Sequence, residues 1–225
     1  MPLLDLVIVC FTVALANFRS AVKSAKLGNV AYVKIITFSE QAFTGLINEL
    51  KKLKNQIGEN KLAGLIIDLR NNPGGLLDQS VKIGELFLDK DQTIVSIKGR
   101  TAESEKIYKD QENQNIIPNL PIVVLINEGS ASASEILAGA LQDNKRAIII
   151  GEKSFGKGSV QTVSQLNNGK GALQLTTALY YTPNNRSIQA SGITPDIQVT
   201  DAKIEKNKNY ETQRPHQIYF NFTAC

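Results

Sequence analysis

The chain has 225 residues, 42% hydrophobic, 20% charged and 6% aromatic, which suits one globular domain with a sizeable core and excludes a disordered tail, a collagen-like rod and a multi-span membrane protein. The net charge of +4 comes from 25 basic and 21 acidic residues spread along the chain without a dense basic block, so no nucleic-acid partner is expected. One histidine, His216, and two cysteines at the extreme ends, Cys10 and Cys225, exclude chemistry needing two imidazoles, a zinc site of the usual spacing and a disulfide-stapled scaffold.

The predicted elements begin with an ambiguity. Leu6–Ala16 is an apolar run too short to span a bilayer, and Ala14-Leu15-Ala16 has the form of a signal-peptidase site. Asp5 and the lack of Lys or Arg before the run oppose export, while Val7, Ile8, Val9, Phe11, Thr12 and Val13 suit a buried strand. Both readings stand. From Asn29 onward strand-like and helix-like segments alternate, as in an α/β domain. Tyr32–Phe38 reads as a strand. Ser39 can cap a helix with apolar positions Phe43, Leu46, Ile47, Leu50, Leu53 and Ile57, which Gly58 stops. Leu62–Leu69 reads as a strand covered on both faces, and it ends in Arg70-Asn71-Asn72-Pro73-Gly74-Gly75 before a helix over Leu76–Leu88. Gln92–Lys98 and Ser104–Lys109 suit a hairpin or edge strands. Pro121–Ile126 is a buried strand, followed by a helix running to about Gln142, and Arg146–Ile150 is the next strand. The pattern then turns to β, with Val160–Leu166, Ala172–Tyr181, a turn at Pro183-Asn184-Asn185, and Ser187–Ala190.

Three strand-to-loop junctions carry small or polar residues, where α/β sheets build sites. Gly151–Gly158 spells GxxxxGK but fails as a phosphate-binding loop on two counts. Gly158 stands where the magnesium-binding Ser or Thr belongs, and Ser159–Leu166 alternates like a strand instead of opening a helix. Lys157 can instead act as a general base. An ordinary lysine, with a pKa of about 10.4, is charged at neutral pH, but burial favours the neutral amine. Ser130, Ser132 and Ser134 lie upstream among small residues at a strand-to-helix turn, whose free amides could hold an oxyanion. A serine–lysine pair performs nucleophilic catalysis without histidine.

Taken together, Asp68–Gly75, Gly129–Glu135, Gly151-Glu152 with Phe155–Gln161, and Arg186–Gln189 with Gly192–Asp196 closely resemble the bacterial carboxyl-terminal processing peptidases, also called tail-specific proteases. The resemblance covers about Asn29 to Val199. It implies a crotonase- or Clp-like α/β spiral of ββα units with additional C-terminal strands. It also implies Ser132 as nucleophile, Lys157 as base and Gln161 as the residue orienting that lysine. The oxyanion hole falls on the backbone amides of Ala133 and one glycine of the turn, Gly74 being favoured over Gly75, and Asp143 takes a supporting role. No metal and no cofactor is implied.

Such peptidases usually carry a PDZ domain before the core, and here only about 28 residues precede it. The expected organisation is an N-terminal segment 1–28, either a PDZ-to-core remnant or a signal-like run, then a catalytic core 29–199 and a polar tail 200–225. By resemblance, the substrates are proteins or peptides with exposed C-termini, and the location is the periplasm or cell envelope of a bacterium. Membrane association upstream of this chain and a homo-oligomer are both compatible with it. A catalytically inactive peptide-binding module of the same fold is the competing expectation.

Overall fold

The computed structural model describes residues 20–112, 114–166 and 171–200. The run Leu6–Ala16, His216, both cysteines and the tail beyond residue 200 lie outside the described residues. In chain order the elements are β1 Val22–Leu27, β2 Val30–Ile35, α1 Ala42–Ile57, β3 Gly64–Asp68, α2 Leu77–Glu85, β4 Thr93–Gly99, β5 Lys106–Lys109, β6 Ile122–Ile126, α3 Ala133–Asp143, β7 Ile148–Gly151, β8 Ser159–Gln165, β9 Ala172–Tyr181 and β10 Ile197–Gln198. They form a six-stranded sheet in the order β1-β2-β3-β6-β7-β10, parallel except for β1, and a four-stranded antiparallel sheet in the order β5-β4-β9-β8. This is the expected α/β architecture with additional C-terminal strands.

Local sequence accounts for the central elements. Ala31, Val33 and Ile35 alternate inward along β2, whereas β3 is buried at every position but Ile66, as a strand inside a parallel sheet must be. Leu46, Leu50, Leu53 and Ile57 recur on one face of α1, which packs on β1 and β2. Gly58 ends that helix with φ 91°, donating its N–H to the Lys54 carbonyl. Helices α2 and α3 pack together, and α3 also meets β4 and β7 through a nearly wholly buried surface.

Four expectations shift. β1 was not anticipated, and it pairs antiparallel with β2 across Gly28-Asn29, so the main sheet begins before residue 29. Ser39 does not cap α1: the cap position is Gln41, because Phe38 is held extended by hydrogen bonds with Gly74 and Leu76. Ser187–Ala190 makes a single bridge, Ser187 to Tyr181, and otherwise turns, with Ala190 at φ 60°. β10 was also missed; it adds to β7 in parallel. Among the described residues no helix is long and apolar enough to cross a membrane, and no group of three or more His, Cys, Asp or Glu is placed to hold a metal.

Candidate active site

The C-terminal ends of β3, β6 and β7 bring three loops together. After β6 the chain turns through Asn127–Ala131 and enters α3 at Ser132, whose φ of 57° and ψ of −114° put a side-chain-bearing residue in a region L-residues rarely adopt. Such a conformation costs about 1–3 kcal/mol and persists only where surrounding contacts impose it. Here they are numerous. Buried Ser130 donates its hydroxyl to the Leu69 carbonyl at 2.9 Å and accepts the Asn127 N–H at 3.0 Å. The carbonyl of buried Asn72 accepts both the Ala131 N–H at 3.0 Å and the Ser134 hydroxyl at 2.9 Å. Ser80 of α2 donates to the Ala133 carbonyl at 2.8 Å.

The Asn72-Pro73-Gly74-Gly75 turn lies directly against this elbow. Gly74 has φ 98°, and a Cβ there would sit 2.6 Å from the Ala131 carbonyl oxygen and 2.9 Å from the Ala133 nitrogen. Only glycine permits that approach. The Gly74 N–H, expected as an oxyanion donor, is engaged in this conformation by Asn72 Oδ1 at 2.8 Å. The Gly75 N–H and the Ala133 N–H have no hydrogen-bond acceptor among the described residues, the latter as expected of a first-turn helix amide. Gly74→Ala is therefore expected to displace the elbow, since backbone atoms cannot yield as a flexible side chain does. A urea-unfolding midpoint lowered by the equivalent of about 1–3 kcal/mol would check this.

Lys157 lies on the loop after β7, which meets the elbow through the Phe155 N–H on the Ser130 carbonyl at 3.0 Å and through one buried carboxylate. Glu135, wholly buried on the first turn of α3, accepts four hydrogen bonds. Its Oε1 takes the Ser154 hydroxyl and the Gly156 N–H, both at 2.6 Å. Its Oε2 takes the Ser132 N–H at 2.7 Å and the Lys157 N–H at 2.9 Å. The backbone nitrogens of the two predicted catalytic residues thus meet on a single carboxylate oxygen. Gln189 supports the loop from the other side, accepting the Gly158 N–H at 3.0 Å, and the Gly156 carbonyl accepts the Ala190 N–H at 2.9 Å. Sequence reasoning assigned no role to Glu135, Asn72, Ser154 or Gln189. For Glu135 a signal was present: Ser132-Ala133-Ser134-Glu135 has the S-x-x-E spacing in which a helix's third residue reaches back to its cap.

Two predicted residues sit differently from expectation. The Lys157 side chain is exposed, not buried. Gln161 donates its amide to Thr176 Oγ1 at 2.7 Å and to Ser159 Oγ at 3.3 Å, so its bonds run along the β8–β9 hairpin and not to Lys157. Its Oε1 is the acceptor those bonds leave over. Asp143 ends α3, an eleven-residue helix and so about 16 Å along its axis from Ser132. It pairs with Arg186 and accepts the Asn184 N–H at 2.8 Å, fastening the Pro183–Arg186 turn to the helix. Any support it gives the site is through the scaffold.

Beside the glycine turn, buried Asp68 accepts two side-chain bonds from Arg70 at 3.0 and 2.8 Å, its backbone N–H at 2.9 Å and the Tyr32 hydroxyl at 2.6 Å. Burial alone would raise the Asp68 carboxyl, but the Arg70 and Tyr32 hydrogen bonds outweigh it and hold the group below the usual carboxylate range. Burial and the bond to Asp68 push the Tyr32 phenol from 10.0 up to about 12. A phenol raised on folding contributes stability that is complete below its unfolded value of about 10 and is lost as pH rises through the folded value. The stability advantage of the natural chain over Tyr32→Phe, measured by urea unfolding from pH 8 upward, is accordingly expected to hold to about pH 10 and then decline.

The family model for peptidase family S41 matches residues 29–199. The chain belongs to peptidase family S41. This S41 chain is 50% identical over 191 residues to a carboxy-terminal-processing protease of Bartonella bacilliformis, covering 85% of this chain and 43% of that protein. It is 42% identical over 180 residues to the chloroplastic carboxyl-terminal-processing peptidase 3 of Arabidopsis thaliana, covering 80% of this chain and 33% of that one. Among solved structures it matches a photosystem II D1 C-terminal processing protease with a TM-score of 0.72 and 34% identity, over 80% of this chain and 48% of the other. The chain therefore spans less than half the length of these relatives.

Proposed function

We propose that this S41 chain is the catalytic core of a serine endopeptidase that cleaves protein substrates near their C-termini by acyl transfer. The observation carrying the reading is the shared carboxylate oxygen of Glu135, which ties the strained Ser132 elbow to the Lys157 backbone. In this mechanism the neutral Lys157 amine takes the Ser132 hydroxyl proton as Oγ bonds to the scissile carbonyl carbon. The developing oxyanion is held by the Ala133 amide and the amides of the Gly74-Gly75 turn. Lys157 then returns the proton to the leaving amine, the C–N bond breaks, and water hydrolyses the acyl-serine with Lys157 again as base. Gln161 Oε1 would accept from the amine and orient it.

The exposed Lys157 side chain lies where a polypeptide crossing the loop would cover it. Protein substrates with accessible tails are the partners, and the periplasm or cell envelope of a bacterium is the proposed location. Support for the substrate class comes from the names of the relatives and the sequence motifs. Incubation with an unfolded protein ending in an apolar tail is expected to release C-terminal fragments, and a serine-reactive phosphonate is expected to stop that release. Release that is unaffected by the phosphonate would contradict the reading.

A further inference from the structure

We propose that the open edge of β8 receives the substrate as an added β-strand, a reading that rests on the proposed peptidase function and specifies its substrate as an extended, unfolded segment. Four strands end a sheet among the described residues: β1, β10, β5 and β8. A free sheet edge templates pairing with any other extended chain, and proteins commonly blunt it with lysine, with brevity or with a bulge. β1 carries Lys23 and Lys26, β5 carries Lys106 and Lys109, and β10 is two residues long. β8 has none of these protections. It is seven residues long and uncharged, its ten-residue partner β9 is uncharged too, and the irregularity in their pairing places the extra residue on β9.

The ladder identifies the open groups. Leu166 donates to the Gly171 carbonyl and Tyr180 donates to the Gly158 carbonyl, so the even-numbered residues of β8 face β9. By alternation the N–H and C=O groups of Ser159, Gln161, Val163 and Gln165 face outward. This row starts two residues after Lys157 and extends about 20 Å from Ser159 to Gln165 at the rise of an extended chain. A segment paired along it would be led to the Lys157 loop, whose backbone shares Glu135 with Ser132. The side chains beside such a strand are mixed, with Thr162 and Ser164 on one face and the exposed Val163 on the other. Main-chain bonds would dominate affinity, giving sequence tolerance and a requirement for unfolded substrate.

The test uses the full chain carrying Ser132→Ala, with an unfolded polypeptide ending in an apolar tail as probe and residue-resolved amide exchange by NMR as readout. Exchange at Gln161, Val163 and Gln165 is expected to slow at least about tenfold, while Thr162 and Ser164, already bonded to β9, change little. In the otherwise natural chain, Val163→Pro removes one outward donor at an edge position that tolerates proline, and KM is expected to rise about tenfold with kcat retained. Val163→Thr keeps the N–H and restores KM. Unchanged exchange at the three amides while the probe is bound overturns the proposal, as does a natural KM in Val163→Pro. Protection that grows with protein concentration without the probe assigns the edge to a second copy of the chain and overturns it too. Failure of the natural chain to cleave at all counts instead against the peptidase reading, which leaves the exchange result to be read separately.

Discussion

Ser132→Ala and Lys157→Ala are each expected to lower cleavage of an unfolded protein by about four orders of magnitude, and the double variant to lose little more, because residues acting as one unit are strongly non-additive. The Ser132 change removes the proposed nucleophile, while its strained backbone is still imposed by the bonds of Ser130, Asn72 and Glu135. The Lys157 side chain is exposed and the loop is held through its backbone N–H, so Lys157→Ala is expected to leave the urea-unfolding midpoint almost unchanged. Lys157→Arg separates a base from a mere positive charge. A guanidinium stays protonated in proteins, so the arginine variant is expected to be as inactive as the alanine one. Activity in Lys157→Arg near the natural level would remove Lys157 as the base.

Glu135→Gln is expected to reduce both stability and activity although Glu135 is wholly buried. Each carboxylate oxygen accepts two donors, so whichever way a glutamine amide is turned its NH2 faces two hydrogen-bond donors. Buried donors left without an acceptor cost about 1–3 kcal/mol each, and partial relaxation brings the expected loss to about 2–4 kcal/mol. That is a large part of the 5–15 kcal/mol typical of a domain. A lowered urea midpoint with an unchanged slope would measure it. The positioning role has its own signature: at a temperature where the variant remains folded, kcat is expected to fall much more than KM changes. Equal kcat in the folded variant would leave Glu135 a purely structural group.

The elements most legible in the sequence were those whose burial decides them. The apolar run of β6, that of β3 up to Asp68, and the regular face of α1 read directly as core elements, and Ala172–Tyr181 has the bounds of β9. β1 was hidden because it is an edge strand with four exposed positions in six, although Gly28-Asn29 is a recognisable hairpin pair. Ser187–Ala190 has strand-like spacing, but Ser191 and Gly192 both turn back to the Ile188 carbonyl and the Gln189 side chain is spent on Gly158. In the site, the positions of Ser132 and Lys157 follow from motifs. Their connection through Glu135 does not, since it depends on two loops from different strands meeting, as does the turn of Gln161 toward Thr176.

Of three neighbouring serines, Ser132 is the proposed nucleophile. Ser130 and Ser134 are fully buried and donate to the Leu69 and Asn72 carbonyls, whereas Ser132 is half-buried at the elbow. Treating the full chain with a serine-reactive phosphonate and mapping the adduct by peptide mass spectrometry tests this directly. One adduct is expected, on Ser132, absent from Ser132→Ala and strongly slowed in Lys157→Ala. An adduct on Ser130 or Ser134, or peptide binding with neither labelling nor cleavage, would contradict it, and the latter result would mark the chain as a binding module.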